Sequence, residues 1–423
     1  MKNKKQDTLM YLLGVALLIV TVFSVRDTVI ENVFESKKVG SISEITVPEV
    51  PDVTTERAFG VVSAEEWAPY YGDIYASWKD NEGNTGHGGS RISYVETNPD
   101  IKTIYAGYGF AYDYTEAIGH NYTLKDIEET TRPHKLANCL TCKTPDMTAM
   151  VNALGTSVYS MDFDEVYAKM SEPVSCYTCH ANTPGTMVIT HDYMRSAMAD
   201  EVEAGQVSAS SVSCAQCHTE YYFDPETKAT LVPYTDLEEI SPDAMIAYYD
   251  ALGFSDFSNA VSGVGVIKAQ HPEFETYYGK GSVHKGTYNC ADCHMGVAYN
   301  KKGDPYANHY LASPLENKEL IQTTCSQCHS DLEKMVKSIQ TEVTDKENEV
   351  SAILVKLHEE IAAHEGKLSS EKMEEVKLLT RHAQFYWDFV FVENSEGAHN
   401  SQLSLECLAK AKSMANKALE MLK

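Results

Sequence analysis

The chain has 423 residues, 43% of them hydrophobic, which is enough for one large domain or two smaller ones. Its formal net charge is -26. A surface this acidic argues against a DNA or RNA partner, and it repels small anions too, so an anionic substrate would need local positive groups.

Residues 1–30 open with Met1, Lys2, Asn3, Lys4 and Lys5, followed by an almost unbroken apolar run over residues 9–25. The run is long for a signal-peptide core and just long enough to span a bilayer, and no small-x-small cleavage site stands out near Ser24. An uncleaved signal anchor is expected, with a cleaved signal peptide as the alternative. Either places the body outside the cytoplasmic membrane, with the lysines on the cytoplasmic side. Residues 31–60 read as a linker: acidic, polar, with Pro48 and Pro51 and no sustained period.

Residues 61–330 hold every Cys-x-x-Cys pair and are rich in Tyr, Gly and short turn signals such as Gly303-Asp304-Pro305. No long helix or strand pattern runs through them. That fits a mainly α core with few strands, filled by cofactor rather than by stacked side chains. Residues 331–423 differ. Leu332, Val336, Ile339, Val343, Val350, Leu354, Leu357 and Ile361 form a heptad-like apolar stripe, which predicts a helix of over 30 residues. Further helices are predicted over about 370–392 and 403–422. The stripe can be satisfied by packing within the chain; the sharper expectation is that it also builds a homodimer interface.

Ten of the 11 cysteines fall into five Cys-x-x-Cys pairs. Disulfides or structural zinc are the plain readings, and the residue after each pair argues against both. Cys176 and Cys179 precede His180, Cys214 and Cys217 precede His218, Cys290 and Cys293 precede His294, and Cys325 and Cys328 precede His329. Two thiols at this spacing can form thioethers to the vinyl groups of one haem, and the next residue reaches its iron. Four such motifs in one chain are decisive for c-type haem. The fifth pair, Cys139 and Cys142, precedes Lys143. Alone it could be a redox dithiol; beside four haem motifs it reads as a fifth haem c with an amine ligand. The amine must be neutral to bind iron. A haem with this proximal ligand and no distal protein ligand is where chemistry occurs, whereas two histidines close an iron to substrate. Of 15 His, four lie in the motifs, leaving enough for four distal ligands. Cys407, on an apolar helix face, reads as a buried small hydrophobe.

The Lys motif followed by four His motifs resembles the ammonia-forming pentahaem cytochrome c nitrite reductases, over a span from about residue 105 to the C-terminus. Cys217-His218-Thr219-Glu220-Tyr221-Tyr222-Phe223, Lys268-Ala269-Gln270-His271-Pro272-Glu273, Arg132 shortly before the Lys motif, and Arg381-His382-Ala383-Gln384 all match family stretches. The resemblance implies Arg132, Tyr221 and His271 as active-site residues above the Lys143 haem. It implies one Ca²⁺ held by the Glu220 carboxylate, the Gln270 side-chain oxygen and the carbonyls of Tyr221 and Lys268, hard oxygen donors of the kind calcium takes. It implies distal ligands His120 for the His218 haem, His309 for the His180 haem, His284 for the His329 haem and His399 for the His294 haem. His87, His134, His191, His358 and His364 are left as surface or packing residues, with lining of a haem or the substrate path as the secondary reading for His382. The chain departs from some relatives at Ile118, where they carry Arg, in a short insert between Arg132 and Cys139, and in an early C-terminus.

The reaction so implied is six-electron reduction of nitrite to ammonium. It needs an open iron, cationic or donor groups that polarise the N–O bonds, and stored electrons. Arg132 is a permanent cation with a planar fork, His271 can relay protons, and Tyr221 can donate a hydrogen bond. The family takes electrons from a membrane quinol dehydrogenase cytochrome or a soluble multihaem donor. Rival readings are an electron carrier without a substrate site, a related reductase of hydroxylamine or sulfite, and, weakly, a quinol-oxidase module.

Overall fold

The computed structural model describes residues 41–82, 91–133 and 135–423. The expected anchor at residues 1–30, His87 and His134 lie outside them. Among the described residues no helix is long and apolar enough to cross a membrane. The described part of the expected linker, residues 41–60, lies against the body, with Val50 and Val53 packed on Val62, Trp67 and Tyr71.

Up to residue 330 the helices are short; one of the longest, Asp192–Glu203, has 12 residues. Their ends follow local chemistry. Ser208 caps α1 (Ala209–Ala215) by accepting the Ser211 N–H. Ser241 caps α2 (Pro242–Leu252), Pro242 fills its first turn, and Gly253 ends it at φ 63°. Helix α3 (Glu273–Tyr278) starts directly after Pro272. Strands occur among the described residues only as three short antiparallel pairs: Tyr222–Phe223 with Thr230–Leu231, Phe257–Ser258 with Gly265–Val266, and Val297–Tyr299 with Pro305–Ala307.

Three long helices close the chain: α4 (Leu332–Ala363), α5 (Ser370–Phe391) and α6 (Ser401–Leu422). Asp331, Ser369 and Asn400 cap them, each side chain accepting a first-turn N–H. The apolar stripe of α4 divides in two. Val343, Val350, Leu354, Leu357 and Ile361 are buried, whereas Leu332, Val336 and Ile339 are half-buried. The buried half joins α5 and α6 in one hydrophobic cluster that also contains Ile101, Tyr105, Met194 and Phe274. Residue 330 therefore separates two compositions but not two cores. Cys407 sits in this cluster, 2% exposed.

Polar ties register the long helices on the site. On α5, the Arg381 guanidinium donates to Asp250 of α2 (2.9 Å), Ser255 Oγ (2.9 Å), the Gly265 carbonyl (3.1 Å) and the Phe254 carbonyl (2.6 Å). Asp388, also on α5, is fully buried. Its carboxylate accepts from Tyr105 Oη and from the Ala269 N–H at 2.9 Å, and it lies 3.5 Å from the buried Lys268 Nζ.

Candidate active site

In an α-helical turn, positions i, i+3 and i+4 share a face. The four Cys-x-x-Cys-His motifs take this form. Cys176–His180 and Cys290–His294 are each a one-turn helix. In the other two, the His218 N–H donates to the Cys214 carbonyl at 3.0 Å and the His329 N–H to the Cys325 carbonyl at 2.9 Å. Each motif thus presents two sulfurs and an imidazole on one side. The Lys motif is wound more tightly: the Lys143 N–H donates to the Leu140 carbonyl at 3.1 Å. With three-residue closure Cys139 and Cys142 still eclipse, while Lys143 leaves their line and depends on the length of its side chain. Its Nζ lies 3.3 Å from Asp126 Oδ2.

None of the 11 cysteines is in a disulfide. The pairs are arranged as neighbours. Cys142 is a close neighbour of Cys217, Cys214 of Cys290, and Cys293 lies within electrostatic range of Cys325. The Cys179 thiol acts on both Cys214 and Cys217. The motifs therefore run in space from the Lys site through the His218 site to the His294 and His329 sites, with the His180 site alongside the His218 site.

Each motif histidine faces a second imidazole. Ring centroids are 6.1 Å apart for His218 and His120, 6.4 Å for His180 and His309, 5.9 Å for His294 and His399, and 6.0 Å for His329 and His284; His271 also lies 6.4 Å from His218. Two imidazoles bound to one metal from opposite sides, with bonds of about 2 Å, hold their centres roughly 6 Å apart. These are the four pairings that the family resemblance implies.

Ring orientation is fixed through Nδ1, which leaves Nε2 for a metal. His180 Nδ1 bonds the Thr186 carbonyl (2.9 Å), His309 Nδ1 the Ala307 carbonyl (2.9 Å), and His294 Nδ1 the Ala312 carbonyl (3.1 Å). His399 Nδ1 bonds Glu393 Oε1 at 2.6 Å. Burial alone would lower the His399 pKa, but Glu393 outweighs it and lifts the ring to about 9. Glu273 Oε2 lies 3.7 Å from His218 Nδ1. Backbone sterics also place the distal rings. Gly119, just before His120, runs so close to Asn81 that any Cβ would collide with it. Gly397, at φ +87°, turns the chain toward His399 against Val343, whose Cγ2 a Cβ would meet at 2.6 Å.

The other described histidines are engaged differently. His191 bonds the Thr141 carbonyl (3.0 Å) and Gln216 (3.2 Å), and His358 bonds Ser262 (2.7 Å) and Gln384 (2.9 Å), so both rings are used by packing contacts. His364 Nδ1 bonds the Glu360 carbonyl (2.8 Å). His382 does not face a motif: its Nε2 bonds Asp250 of α2 at 2.6 Å.

Arg132, Tyr221 and His271 lie within electrostatic range of the Lys motif. Arg132 and Lys143 both act on Cys139, Lys143 acts on His271, and Tyr221 feels Cys142 and Cys139. Burial lowers the His271 ring to about 4, against the opposing pull of Glu273. Burial also pushes the Tyr221 phenol well above its ordinary range, keeping it a neutral donor. The Arg132 guanidinium lies over the Phe110 ring at 4.2 Å, and its Nη1 donates to the Asp113 carbonyl at 3.3 Å.

Beside them, Glu220 is fully buried, and burial pushes its carboxyl well above the usual range. It accepts from the Gln270 N–H (2.6 Å) and Tyr249 Oη (2.8 Å), and Gln270 Nε2 donates to the Lys268 carbonyl (2.8 Å). The donors expected for calcium are therefore contiguous around a buried carboxylate, and Glu275 Oε2 nearby has no hydrogen-bond partner among the described residues. Among those residues no three His, Cys, Asp or Glu side chains group as a metal site; the expected calcium donors include only one such side chain. The supporting acids Glu273 and Glu393 were not singled out by sequence reasoning. Glu273 ends the Lys268-to-Glu273 stretch, but a lone acid six residues before a histidine, as Glu393 is, carries no motif.

Helical Cys-x-x-Cys-His turns, each facing a distant histidine, define a multihaem c-type cytochrome. The chain belongs to the cytochrome c552 family, whose sequence model matches residues 63–423. It is similar to the catalytic subunit of the cytochrome c nitrite reductase from Desulfovibrio desulfuricans, described with two calcium sites: 27% identity, TM-score 0.75, over 87% of this chain and 87% of that one. Weaker likenesses are the outer cell wall cytochrome OcwA (17% identity, TM-score 0.38, 70% of this chain, 48% of that one) and an undecahaem cytochrome from the S-layer of Carboxydothermus ferrireducens (18% identity, TM-score 0.37, 72% and 41%). The kinship read from the motifs and the mainly α multihaem fold are borne out, and the chain is an oxidoreductase.

Proposed function

We propose that this chain reduces nitrite to ammonium at the haem held by Cys139, Cys142 and Lys143, fed by four bis-histidine haems c. The observation that carries the reading is an asymmetry. Four motif histidines each face an imidazole from a remote segment at 5.9–6.4 Å, whereas Lys143 lies within electrostatic range of Arg132, Tyr221 and His271, the last of which also stands 6.4 Å from the His218 ring. A Lys-ligated haem supplies an open iron position and relays electrons. The chain's own residues do the rest. The Arg132 fork binds the anion and offsets the acidic surface. The Tyr221 hydroxyl donates a hydrogen bond to a substrate oxygen. His271 relays protons from solvent to the departing oxygens, taking up one for each it gives. In this reading Glu220, Gln270 and the carbonyls of Lys268 and Tyr221 hold Ca²⁺, which neutralises a carboxylate that otherwise costs burial energy.

The same reading makes the protein extracytoplasmic, anchored through residues 1–30, with a membrane quinol dehydrogenase cytochrome or a soluble multihaem protein as donor. The half-buried Leu332 and Val336 on α4, which lie outside the core cluster, support a homodimer seam. The test is a nitrite-to-ammonium assay with a dye reductant on purified protein, with intact mass counting haems, repeated on Lys143→Ala. The expected result is five haems, ammonium as product, and loss of turnover in the variant with four six-coordinate haems kept. Four haems, or no ammonium, restores the electron-carrier reading. Equal rates on hydroxylamine or sulfite and none on nitrite would move the substrate.

A further inference from the structure

We infer that Phe110 is a positioning and specificity residue of the anion pocket, holding the Arg132 guanidinium at the angle that receives nitrite. The inference rests on the proposed role of Arg132.

A guanidinium binds an oxyanion with its in-plane N–H fork, so its faces are free for packing and the tilt of its plane decides whether the fork points at the substrate. An arginine stem has several rotatable bonds; the Nη1 hydrogen bond to the Asp113 carbonyl (3.3 Å) holds one edge of the guanidinium, and a supported face holds its tilt about that edge. Here Arg132 Cζ lies 4.2 Å from the Phe110 ring centroid, a cation–π contact. The stem is fixed as well. A Cβ on Gly109 would meet Arg132 Cγ at 3.3 Å, so the side chain runs along the backbone of the preceding residue before its head reaches the ring.

The ring cannot drift. Tyr114 meets it edge-on at 4.9 Å, and Tyr105 does so at 6.5 Å. Tyr105 is anchored by its hydroxyl to Asp388, and Asp388 accepts the Ala269 N–H at 2.9 Å. Lys268 Nζ lies 5.1 Å from the Phe110 centroid, 5.2 Å from Tyr105 and 5.4 Å from Tyr114. Two cations thus share one ring: Arg132, which faces the substrate, and Lys268, three residues before His271. The consequence is geometric. Arg132 and His271 come from distant parts of the chain, and the path Phe110, Tyr105, Asp388, Ala269 fixes one relative to the other. Both must address the same small anion, and that path supplies a common reference.

The test compares Phe110→Leu, which keeps apolar bulk but no π face, with Phe110→Tyr, which keeps the face. Two quantities are read: the nitrite Kd of the resting enzyme from the haem Soret change, and kcat/KM for nitrite and for neutral hydroxylamine. In Phe110→Leu the nitrite Kd should rise roughly fivefold, the ~1 kcal/mol of one cation–π contact converted at about 1.4 kcal/mol per tenfold. The nitrite-to-hydroxylamine ratio of kcat/KM should fall by a similar factor, and Phe110→Tyr should restore both. Equal losses on the two substrates, an unchanged nitrite Kd, or no rescue by Tyr would overturn the inference. Arg132→Lys, run in parallel, separates the two ideas. If it leaves nitrite binding intact, the proposed role of Arg132 fails. If it weakens binding while Phe110→Leu does not, only the positioning role fails.

Discussion

Glu393→Gln isolates the effect of one buried charge on one haem. Glu393 is 2% exposed, and its Oε1 bonds His399 Nδ1 at 2.6 Å. Its Oε2 accepts from Ser395 Oγ (2.6 Å) and the Gly397 N–H (3.4 Å), so Gln keeps the shape and one acceptor oxygen while losing the charge. A carboxylate on Nδ1–H raises the basicity of the ligating nitrogen and favours ferric over ferrous iron. Loss of such a partner weakens ligation about 10- to 100-fold. If the whole loss falls on the ferric state, about 59 mV per tenfold for one electron gives a rise of roughly 60–120 mV. Spectroelectrochemical titration with ferric EPR should show one low-spin haem shifted upward and the others unmoved. An unchanged potential with unchanged EPR would refute the assignment of His399 as a ligand tuned by Glu393.

Asp388→Ala should lower stability by ~3–5 kcal/mol, because it leaves the Lys268 ammonium buried without its carboxylate; a denaturant midpoint near wild type would contradict this. Glu347 gives a pH signature. Burial, then Glu396 and Glu393, lift its pKa from 4.5 to about 8, so the neutral form stabilises the fold fully below 4.5 and that contribution is lost as pH rises through 8. The thermal midpoint should therefore fall between about pH 4.5 and pH 8, and Glu347→Gln should flatten that slope; an identical slope would exclude Glu347 as its source. Thorough chelation of calcium should reduce nitrite turnover and destabilise the segment around Glu220, and equal rates before and after would remove the calcium site.

Local chemistry made much of this legible in the sequence. Caps and period are written in consecutive residues, so the long C-terminal helices were readable to within a few positions. The motif cysteines and histidines were readable because i, i+3, i+4 spacing is itself the geometry of a helical turn. Long-range relations were not. Nothing near Glu393 announces that its carboxylate orients His399, and nothing in Phe110 announces Arg132, since each contact joins segments that only the tertiary fold brings together. His382 illustrates the reverse case. It lies in a stretch that resembles the family, yet its ring is spent on Asp250.

Under the proposed ligation, the pairing of each motif histidine with one from a remote stretch also shapes how the chain matures. Thioether attachment needs only a Cys pair and can take place on an open chain, but the second axial bond cannot form until the remote segment arrives. His294 must wait for His399, which lies just before α6, and His218 must be met by His120 from far upstream. Each completed iron then acts as a reversible cross-link closing a long loop, which lowers the entropy of the unfolded chain much as a disulfide does. Such cross-links release at low pH, when imidazole protonates, or under a competing strong-field ligand. Unfolding should then be stepwise, with the loop closed by the last-formed bond opening first.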